Sequence, residues 1–455
     1  MDAAVSVVGL GKLGLPLAAC LAKRGLEVVG VDVQPGVVDA INRGVSPIVE
    51  PGLDEIIKEH GGKRLRATLQ HRQAIEATDL TFVLVATPSE ADDSFSNRYV
   101  EEALAALGAA LRESRKEYHL FVISSTVMPG STQDSFIPLI ERCSGRKLNR
   151  GFGVCFDPDF VALGDVVNGF LRPDLVIIGE SEKRAGDRVE AVHRRLCENQ
   201  PHVARMSIVD GEVAKVSLNA YMTVKISFAN TLANLCERIP GADVDAITRA
   251  IGADRRISPH YFRGGLSFGG TCFPRDTRAF KRLAARCDLQ EHLVRAAEAV
   301  NKFQDEHLVE RVLELRPPEE DSAVGVLGLA FKPRTPVIAE SPGIKLVQEL
   351  LRHNIPVVAY DPLAVAEARK VLGDGVRYAA SARECISQSA LCVVTTCEPE
   401  FRDAFRGFEP GAGLTVLDCW RYLDKGSLDP RVKYAAWGAT GSGQGLPVPR
   451  PGVPA

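Results

Sequence analysis

The first 32 residues constrain the fold more than any other stretch of the chain. Residues 5–8 form a short apolar run, and residues 9–14 follow it with G-x-G-x-x-G spacing. A helical pattern then covers Leu15 to Arg24, and a second apolar run from Glu27 ends at Asp32. Strand, glycines, helix, strand and terminal acid in this order predict a dinucleotide-binding fold. The alternative is a tight strand–helix turn that binds no ligand.

The glycines would let a pyrophosphate approach the start of the helix, where free N–H groups and the helix dipole favour anions. Asp32 would accept hydrogen bonds from ribose hydroxyls, and its charge disfavours the extra phosphate of NADP. We therefore predict NAD as the cofactor. The predicted contacts are the loop, Asp32 and two threonines further along the chain: Gly9, Leu10, Gly11, Lys12, Leu13, Gly14, Asp32, Thr87 and Thr126.

Strand and helix patterns continue to alternate beyond this motif. Residues 80–86, 120–126 and 174–179 read as strands, of which the last is expected to close this domain's sheet, and residues 101–112 read as a helix. Thr87 and Thr126 come at strand ends, where open α/β sheets bind ligands. Either threonine could instead cap a turn or a helix, which is the commoner role for such a residue.

The pattern changes to one long helix from Asp210 to Glu237. Lys215 and Asn219 are spaced i, i+4 and so share a face of this helix. Apolar residues surround them, which predicts a helix that is buried nearly all round. A buried lysine is costly unless it is paired or used, and this favours a functional role over a solvated one.

A glycine-rich stretch from Gly265 to Asp276 holds a single cysteine, Cys272, and an acid four residues later. Such a thiol is a candidate nucleophile. The alternative is a structural turn with a buried cysteine, since free cysteines are usually inert core residues.

Residues 317–321 read as a linker, after which a second α/β pattern begins that lacks G-x-G-x-x-G. We predict an α/β fold with two Rossmann-like, doubly wound parallel-sheet domains joined by a central helical domain. The predicted divisions are a NAD-binding domain at 1–205, a helical domain with Cys272 at 206–316, a nucleotide-binding domain at 317–437 and a disordered tail at 438–455.

Net charge, cysteine spacing and the lengths of the apolar runs indicate which partners and which cellular location to expect. The net charge of −3 gives no reason to expect nucleic-acid or polybasic membrane contacts. The 11 cysteines lack paired or zinc-ligand spacing, so we expect reduced thiols, a cytoplasmic location and no metal. The short apolar run at the given N-terminus leads straight into glycines, so we expect no signal peptide, and no apolar run approaches the ~20 residues that a membrane helix needs.

The chain resembles the UDP-glucose/GDP-mannose dehydrogenase family over nearly all its length, to about residue 430. Five signals carry the resemblance, and their joint occurrence in this order is hard to obtain by chance: Lys215-xxx-Asn219, Gly269 to Asp276 (GGTCFPRD), Gly328 to Lys332 (GLAFK), Glu340-Ser341-Pro342 and Tyr360-Asp361-Pro362.

The resemblance implies a four-electron oxidation of the C6 alcohol of a nucleotide sugar to a carboxylate, with two NAD consumed. Cys272 would form a thiohemiacetal and then a thioester. Lys215 and Asn219 would stabilise oxyanions, Asp276 and Thr126 would bind or activate water, and Asp159 would serve as the acid/base for hydrolysis. UDP-glucose, oxidised to UDP-glucuronate for polysaccharide or glycan synthesis, is the default substrate. UDP-N-acetylglucosamine, UDP-N-acetylmannosamine and GDP-mannose stay open.

The resemblance also implies substrate contacts and a homodimer built on the long helix, with Arg256 reaching the neighbouring subunit's site. The implied substrate contacts are Phe160, Val161, Lys215, Asn219, Arg256, Tyr261, Arg263, Gly269, Phe331, Lys332 and Arg421.

Three positions depart from the family's pattern. Asp159 stands where Glu is usual, Leu163 replaces a second Glu of the UDP-glucose enzymes, and Ala339 replaces an Arg near the cofactor phosphates. We expect activity to survive because Cys272 and its partners are intact. Two other hypotheses are a two-electron β-hydroxyacid dehydrogenase, which needs neither Cys272 nor a third domain, and a nucleotide-sugar sensor without turnover.

Overall fold

The computed structural model describes residues 4–317, 322–411 and 413–439. Most of the predicted linker and of the predicted disordered tail lies outside these residues. The chain forms two compact units. The first unit contains the residues up to Leu218 together with Arg278–Cys287, and the second contains Asn219–Thr277 together with the residues from Asp288 onward.

An eight-stranded sheet organises the first unit. Its order is β3-β2-β1-β4-β5-β6-β7-β8, which contains the doubly wound order 3-2-1-4-5-6. Short runs rich in valine, isoleucine and phenylalanine form these strands, and the inner ones are buried on both faces, as in parallel sheets covered by helices. The strands are β1 Val5–Val8, β2 Val28–Val31, β3 Leu65–Thr68, β4 Leu80–Val83, β5 His119–Ile123, β6 Phe152–Phe156, β7 Leu175–Glu180 and β8 His202–Met206.

Amphipathic helices cover both faces of this sheet. Val100, Leu104, Leu107 and Leu111, for example, recur at helical spacing and bury one face of a 16-residue helix. Two hydrophobic clusters form the core, one on each side of the sheet. The helices are α1 Gly14–Lys23, α2 Pro35–Asn42, α3 Leu53–His60, α4 His71–Ala77, α5 Arg98–Glu113, α6 Ile137–Ser144, α7 Val166–Leu171 and α8 Lys183–Leu196, and a π-helical turn, Thr132–Phe136, precedes α6.

One junction in this sheet differs from the parallel pattern. β6 and β7 pair antiparallel, and β8 pairs parallel with β7 at the edge of the sheet. The strand predicted at residues 174–179 therefore does not close the sheet. A buried strand has the same apolar pattern whether it pairs parallel or antiparallel, so the sequence could not predict the direction of β7.

The second unit combines helices with a six-stranded parallel sheet of order β11-β10-β9-β12-β13-β14. The long helix α9, Ile208–Cys236, and helix α11, Phe273–Arg286, contribute residues to both units. The other elements are α10 Val244–Gly252, α12 Leu293–Leu315, β9 Val324–Leu327, α13 Pro342–Arg352, β10 Val357–Tyr360, α14 Val365–Leu372, β11 Arg377–Tyr378, α15 Ala382–Ser387, β12 Leu391–Val394, α16 Pro399–Phe405, β13 Thr415–Asp418 and β14 Lys433–Ala436.

The two sheets share the turn that follows their first strand. Gly9 and Gly328 both adopt positive φ, 91° and 110°. A Cβ on Gly14 would clash with the carbonyl oxygen of Gly9, and a Cβ on Gly343 would clash with that of Gly328. Each first helix therefore packs closely on its own turn, but 14 residues separate the second pair of glycines where four separate the first. The predicted α/β fold with two Rossmann-like sheets is confirmed.

Helix α9 differs from its predicted burial. Lys215 is buried, as expected, but Tyr221, Phe228 and Leu235 are exposed. The expectation that this helix is buried nearly all round is therefore wrong for a single chain. The seven-residue spacing of these three apolar side chains places them on one face of the helix.

Candidate active site

The glycine loop after β1 has the shape that its spacing predicts. Gly9 and Gly14 are required by packing, because a Cβ on either would clash with neighbouring backbone. A Cβ on Gly11 would meet no heavy atom within 4 Å among the described residues, so backbone is open to a ligand at this position. Leu10 is buried beneath the loop, Lys12 is exposed and Leu13 precedes α1. The loop fits a dinucleotide pyrophosphate at the start of the helix.

Asp32, at the end of β2, is tied to this loop. Its carboxylate accepts hydrogen bonds from the backbone N–H of Leu10, 2.9 Å, and of Gln34, 2.9 Å. Two bonds leave acceptor capacity on the carboxylate for ribose hydroxyls. The acid thus fixes the glycine loop and stays available to a cofactor.

The two threonines follow adjacent parallel strands of the same sheet. Thr87 is buried after β4, and Thr126 is partly buried after β5. Ser125 next to Thr126 donates to the carbonyl oxygen of Val85 and accepts from its N–H, at 2.8 and 3.0 Å. Both threonines therefore lie at the C-terminal ends of strands, where the sheet predicts ligand binding.

Lys215 is held against the segment that follows β6. Its ammonium donates to the carbonyl oxygen of Asp159 and lies 4.7 Å from the ring centroid of Phe160. The buried lysine is therefore satisfied by a backbone acceptor and an aromatic face. Lys215, Asp159 and Phe160, three residues of the predicted site, come together in the first unit.

The carboxyl of Asp159 lies in a desolvated environment, although the residue as a whole is only partly buried. Burial raises the pKa of Asp159, and Lys215 offsets part of this rise. A carboxyl with a raised pKa exchanges protons more readily near neutral pH, as an acid/base group requires.

A buried ion pair anchors the same segment to α8. Asp157 accepts from Nε2 of His193, with 2.9 Å to each carboxylate oxygen. Burial alone would lower the pKa of His193, but the charge and hydrogen bonding of Asp157 prevail and raise it to about 10. This pair fixes the backbone two residues before Asp159.

Further along the segment, Val161 and Leu163 face the apolar core of the first unit. Both are partly buried and pack against its hydrophobic cluster. Leu163, where the UDP-glucose enzymes are expected to carry Glu, therefore serves packing here.

Cys272 is an exposed free thiol directly before α11. Its carbonyl oxygen accepts from the N–H of Asp276, 2.8 Å, which closes the first turn of the helix. The hydroxyl of Thr271 lies 3.6 Å from the sulfur. The exposed thiol at the start of this helix is accessible to a substrate, as a nucleophile requires. The alternative of a buried structural cysteine does not hold.

The carboxylate of Asp276 is buried one turn into α11. It accepts from the side-chain amide of Asn219, 2.6 Å, and from Arg275, whose Nε and Nη2 lie 3.0 and 2.9 Å from one carboxylate oxygen. Asn219, Asp276 and Arg275 thus form one hydrogen-bonded group in the second unit. Arg275 had no predicted role, although its place next to Asp276 was visible in the sequence.

The glycines before Cys272 serve packing. A Cβ on Gly269 would clash with the carbonyl oxygen of Glu340, and a Cβ on Gly270 would strike the ring of Phe331. Gly270 also has φ +85° and donates to the carbonyl oxygen of Ala339, 2.8 Å. The Cys272 loop is therefore seated on the segment that carries Phe331, and the predicted contact of Gly269 with substrate stays a prediction.

The turn that carries Phe331 and Lys332 is fixed by Asp361. One oxygen of this buried carboxylate accepts from the N–H groups of Leu329 and Ala330, at 2.8 and 3.0 Å. Asp361 ends β10 as Asp32 ends β2, so the two sheets brace equivalent turns in the same way. Phe331 and Lys332 remain partly exposed beside this turn.

Arg421 and Arg263 make contacts inside the second unit. Arg421 donates to both oxygens of Asp245 and to the carbonyl oxygens of Gly264 and Trp437, at distances of 2.7 to 3.0 Å. Arg263 donates to the carbonyl oxygen of Trp420. Most donors of Arg421 are used, so its contacts favour holding the Gly264 backbone, while its predicted contact with substrate stays a prediction.

Arg256 and Tyr261 lie on the loop between α10 and the glycine stretch. Arg256 is exposed and pairs with Asp254 at 2.7 Å, and Tyr261 packs edge-on against Phe273, next to Cys272. Lys225 of α9 anchors the loop through the carbonyl oxygens of residues 257 and 258, 2.9 Å each. This anchor was not predicted, because a lysine on a long helix normally reads as solvated.

Sequence comparison covers most of the described fold. Profiles of the UDP-glucose/GDP-mannose dehydrogenase family match at residues 3–197, its NAD-binding domain, 210–303, its central domain, and 325–425, its UDP-binding domain. UDP-glucose 6-dehydrogenase AglM of Haloferax volcanii is 37% identical over 423 residues, which are 92% of this chain and 97% of that protein. The chain belongs to this family.

Two further proteins agree with this membership. GDP-mannose 6-dehydrogenase of Pseudomonas putida is 33% identical over 449 residues, covering 95% of this chain and 100% of that protein. The structure of a UDP-glucose dehydrogenase from Pyrobaculum islandicum has a TM-score of 0.85 and 34% identity, and the match covers 96% of this chain and 98% of that one. The predicted family is confirmed.

Proposed function

We propose that this chain is an NAD-dependent nucleotide-sugar 6-dehydrogenase that oxidises a C6 alcohol to a carboxylate through covalent intermediates on Cys272. The observation that carries the proposal is an exposed thiol at the start of α11, one turn from the buried carboxylate of Asp276, which is hydrogen-bonded to Asn219 and Arg275. A two-electron β-hydroxyacid dehydrogenase would need neither this thiol nor the UDP-binding domain matched at residues 325–425.

Two NAD molecules, bound one after the other, would supply the hydride acceptor for the two oxidations. The open backbone at Gly11, the start of α1 and the carboxylate of Asp32 would hold each of them. The predicted contacts of Thr87 and Thr126 with the cofactor belong to the same proposal.

The thiolate of Cys272 adds to the aldehyde carbon formed by the first oxidation, and the carbonyl oxygen takes up a proton to give a thiohemiacetal. The thiohemiacetal then loses its hydroxyl proton together with its C–H hydrogen as hydride, which gives a thioester. Attack of water on the thioester releases the carboxylate, a proton and the free thiol. Lys215 and Asn219 stabilise the oxyanions of these steps. Asp276 and Thr126 hold or activate water, and Asp159, with its raised pKa, exchanges the proton during hydrolysis.

UDP-glucose is the proposed substrate. The matched UDP-binding domain supports a uridine nucleotide, and two compared proteins are named as UDP-glucose dehydrogenases. GDP-mannose is the second candidate substrate, because another relative is named as a GDP-mannose 6-dehydrogenase. The residues proposed to recognise the nucleotide sugar are Phe160, Val161, Lys215, Asn219, Arg256, Tyr261, Arg263, Gly269, Phe331, Lys332 and Arg421.

The substrate is tested with the purified chain and NAD, supplied separately with UDP-glucose, UDP-N-acetylglucosamine, UDP-N-acetylmannosamine and GDP-mannose. We expect kcat/KM for UDP-glucose to exceed the others by at least about tenfold, since each 1.4 kcal/mol of discrimination gives a factor of ten. Cys272→Ala should form no uronate. Tight binding of UDP-glucose and NAD without NADH formation would instead identify a sensor.

We also propose a homodimer through α9. The exposed face formed by Tyr221, Phe228 and Leu235 supports it, because three large apolar side chains on one helix face are typical of an interface. Light scattering should give twice the chain mass, and Tyr221→Glu should reduce it to the monomer value.

None of the described helices is long and apolar enough to cross a membrane. All 11 cysteines are free, which supports a reducing compartment such as the cytoplasm.

A further inference from the structure

A buried carboxylate that the proposed mechanism does not use lies on α9, three residues before Lys215. Glu212 is fully buried, and its two oxygens accept from the backbone N–H groups of Gly130, 2.7 Å, and Thr132, 3.0 Å. Burial raises the pKa of Glu212, and the hydrogen bonds from Gly130 and Thr132 oppose this rise. A fully buried acid is costly unless it is bonded, so the contact calls for an explanation.

The two N–H groups belong to the segment that leads from Thr126 into the π-helical turn. Gly130 has φ +95°, and Ser131, before the turn, makes no side-chain cap. Glu212 therefore supplies the missing cap from another element. The segment is fixed at its other end by Ser125, whose hydroxyl bonds the backbone of Val85.

The spacing on α9 connects this cap to the proposed chemistry. Glu212 and Lys215 are at i and i+3, which places them on neighbouring positions of one helix face. Lys215 in turn holds the carbonyl oxygen of Asp159. One turn of α9 thus holds the segment after Thr126 with one side chain and the segment of Asp159 with the next.

We propose that Glu212 is a positioning residue that locks the segment from Thr126 to Thr132 onto the helix of Lys215. Thr126 and Lys215 then keep the mutual placement that the reaction needs. This inference rests on the proposed function, in which both residues act on the reacting groups.

The carboxylate is specifically required because two N–H donors converge on it. Glu212→Gln keeps the shape but has one oxygen, so its NH₂ group faces one of the two donors. The segment after Thr126 then loses one anchor while α9 stays intact. A misplacement of about 1 Å can reduce turnover by about 100-fold.

A double-mutant cycle tests the proposal on the full chain, with kcat and KM measured for NAD and the nucleotide sugar. Glu212→Gln should lower kcat by about 10- to 100-fold. In a Thr126→Ala background the same change should cost less than about threefold, because the group that it positions is already absent. Glu101→Gln is the matched control, because Glu101 accepts a hydrogen bond from Ser135 of the same π-helical turn. This variant should keep kcat within about twofold of the wild-type value.

Equal losses in both backgrounds, or an unchanged kcat in Glu212→Gln, would overturn the positioning role and leave Glu212 as a structural cap. If Glu212→Gln does not fold, Glu212→Asp, which keeps the charge but is one methylene shorter, is put through the same cycle. If the wild-type chain turns over and the losses in kcat from the two substitutions are additive, only the role proposed for Glu212 is refuted. A wild-type chain that forms no NADH with any of the four nucleotide sugars refutes the proposed function as well.

Discussion

Single residues in the glycine loop have separable tasks. Gly9 and Gly14 make close backbone contacts inside the fold, whereas the position of Gly11 is open. The spacing in the sequence predicted the motif, but it could not tell which glycine serves packing and which leaves room for a ligand. Only the neighbours brought in by the sheet, such as the backbone of Leu84 beside Gly9, separate them.

Gly11→Ala should therefore affect cofactor binding and leave the fold intact. The added methyl group meets no protein atom among the described residues, but it lies where the pyrophosphate of the cofactor is expected. We expect KM for NAD to rise about tenfold or more, with Tm within about 2 °C of wild type. Gly14→Ala is the contrast, since its methyl clashes with the Gly9 carbonyl oxygen and should lower Tm. A Gly11→Ala protein with unchanged NAD kinetics would contradict the placement.

Asp159→Asn should slow release of the acyl group from Cys272. Its amide cannot exchange the proton that hydrolysis needs, so we expect kcat to fall about 10²- to 10⁴-fold. Intact-mass spectrometry after mixing with NAD and nucleotide sugar should show an adduct on the protein. The adduct should be missing from the Asp159→Asn, Cys272→Ala double variant, and an adduct that persists there would place the covalent step elsewhere.

Other side chains of the site could not be assigned from the sequence. Glu212, at the start of a helix, reads as an ordinary first-turn acid, and Arg275 reads as one residue in a motif. Their roles depend on partners at Gly130, Thr132 and Asp276, of which only Asp276 is close in sequence. Cys272, in contrast, was a candidate from its glycine-rich surroundings alone.

At the scale of elements, two segments that carry predicted site residues are tied to helices by polar side chains. The segment after β6, which carries Asp159, is held by Asp157 and His193 of α8. The loop after α10, which carries Arg256 and Tyr261, is held by Lys225 of α9. The sequence predicted the strands and helices but not these anchors, because they join residues about 32 or more positions apart.

The pair of His193 and Asp157 makes stability depend on pH. The pKa of His193 rises from 6.5 to about 10 on folding, so the folded chain binds this proton more tightly than the unfolded chain. The resulting stabilisation is fully present below pH 6.5 and is lost as pH rises towards 10. We expect the Tm difference between wild type and His193→Gln to be largest near pH 6 and to shrink by pH 10. A difference that does not vary with pH would show that His193 is not charged in the fold.

Lys225→Met should weaken substrate binding more than cofactor binding. The change removes two hydrogen bonds to the loop of Arg256 and Tyr261, where Ser258 and Tyr261 both have positive φ, 69° and 56°. Non-glycine residues in this conformation persist only when surrounding contacts hold them. We expect KM for the nucleotide sugar to rise about tenfold with KM for NAD unchanged. Lys225→Arg, which keeps donors, should restore most of the affinity, and equal effects on both substrates would contradict the loop's role.

At the scale of the whole chain, the six strands of the second sheet repeat the order of the first six strands of the first sheet, and in both sheets a braced glycine turn follows the first strand. The order of motifs in the sequence predicted this arrangement and the family, because short apolar runs, glycines and terminal acids recur in the right succession. The apolar pattern alone predicted neither the antiparallel pairing of β7 nor the exposed face of α9, although the resemblance implied a dimer through this helix. The direction of β7 depends on the path that the chain takes after β6. The exposure of the α9 face could not be read from the sequence, because an apolar residue in a core and one in an interface have the same sequence pattern.

The central claim is a four-electron oxidation by way of Cys272, and the most direct test is stoichiometry. A limiting amount of the preferred nucleotide sugar is oxidised to completion with excess NAD, NADH is measured by absorbance, and the sugar product is quantified by chromatography. The account predicts a ratio of about two NADH per sugar with a uronate as the final product. A ratio of one, with an aldehyde or ketone as the product, would contradict it.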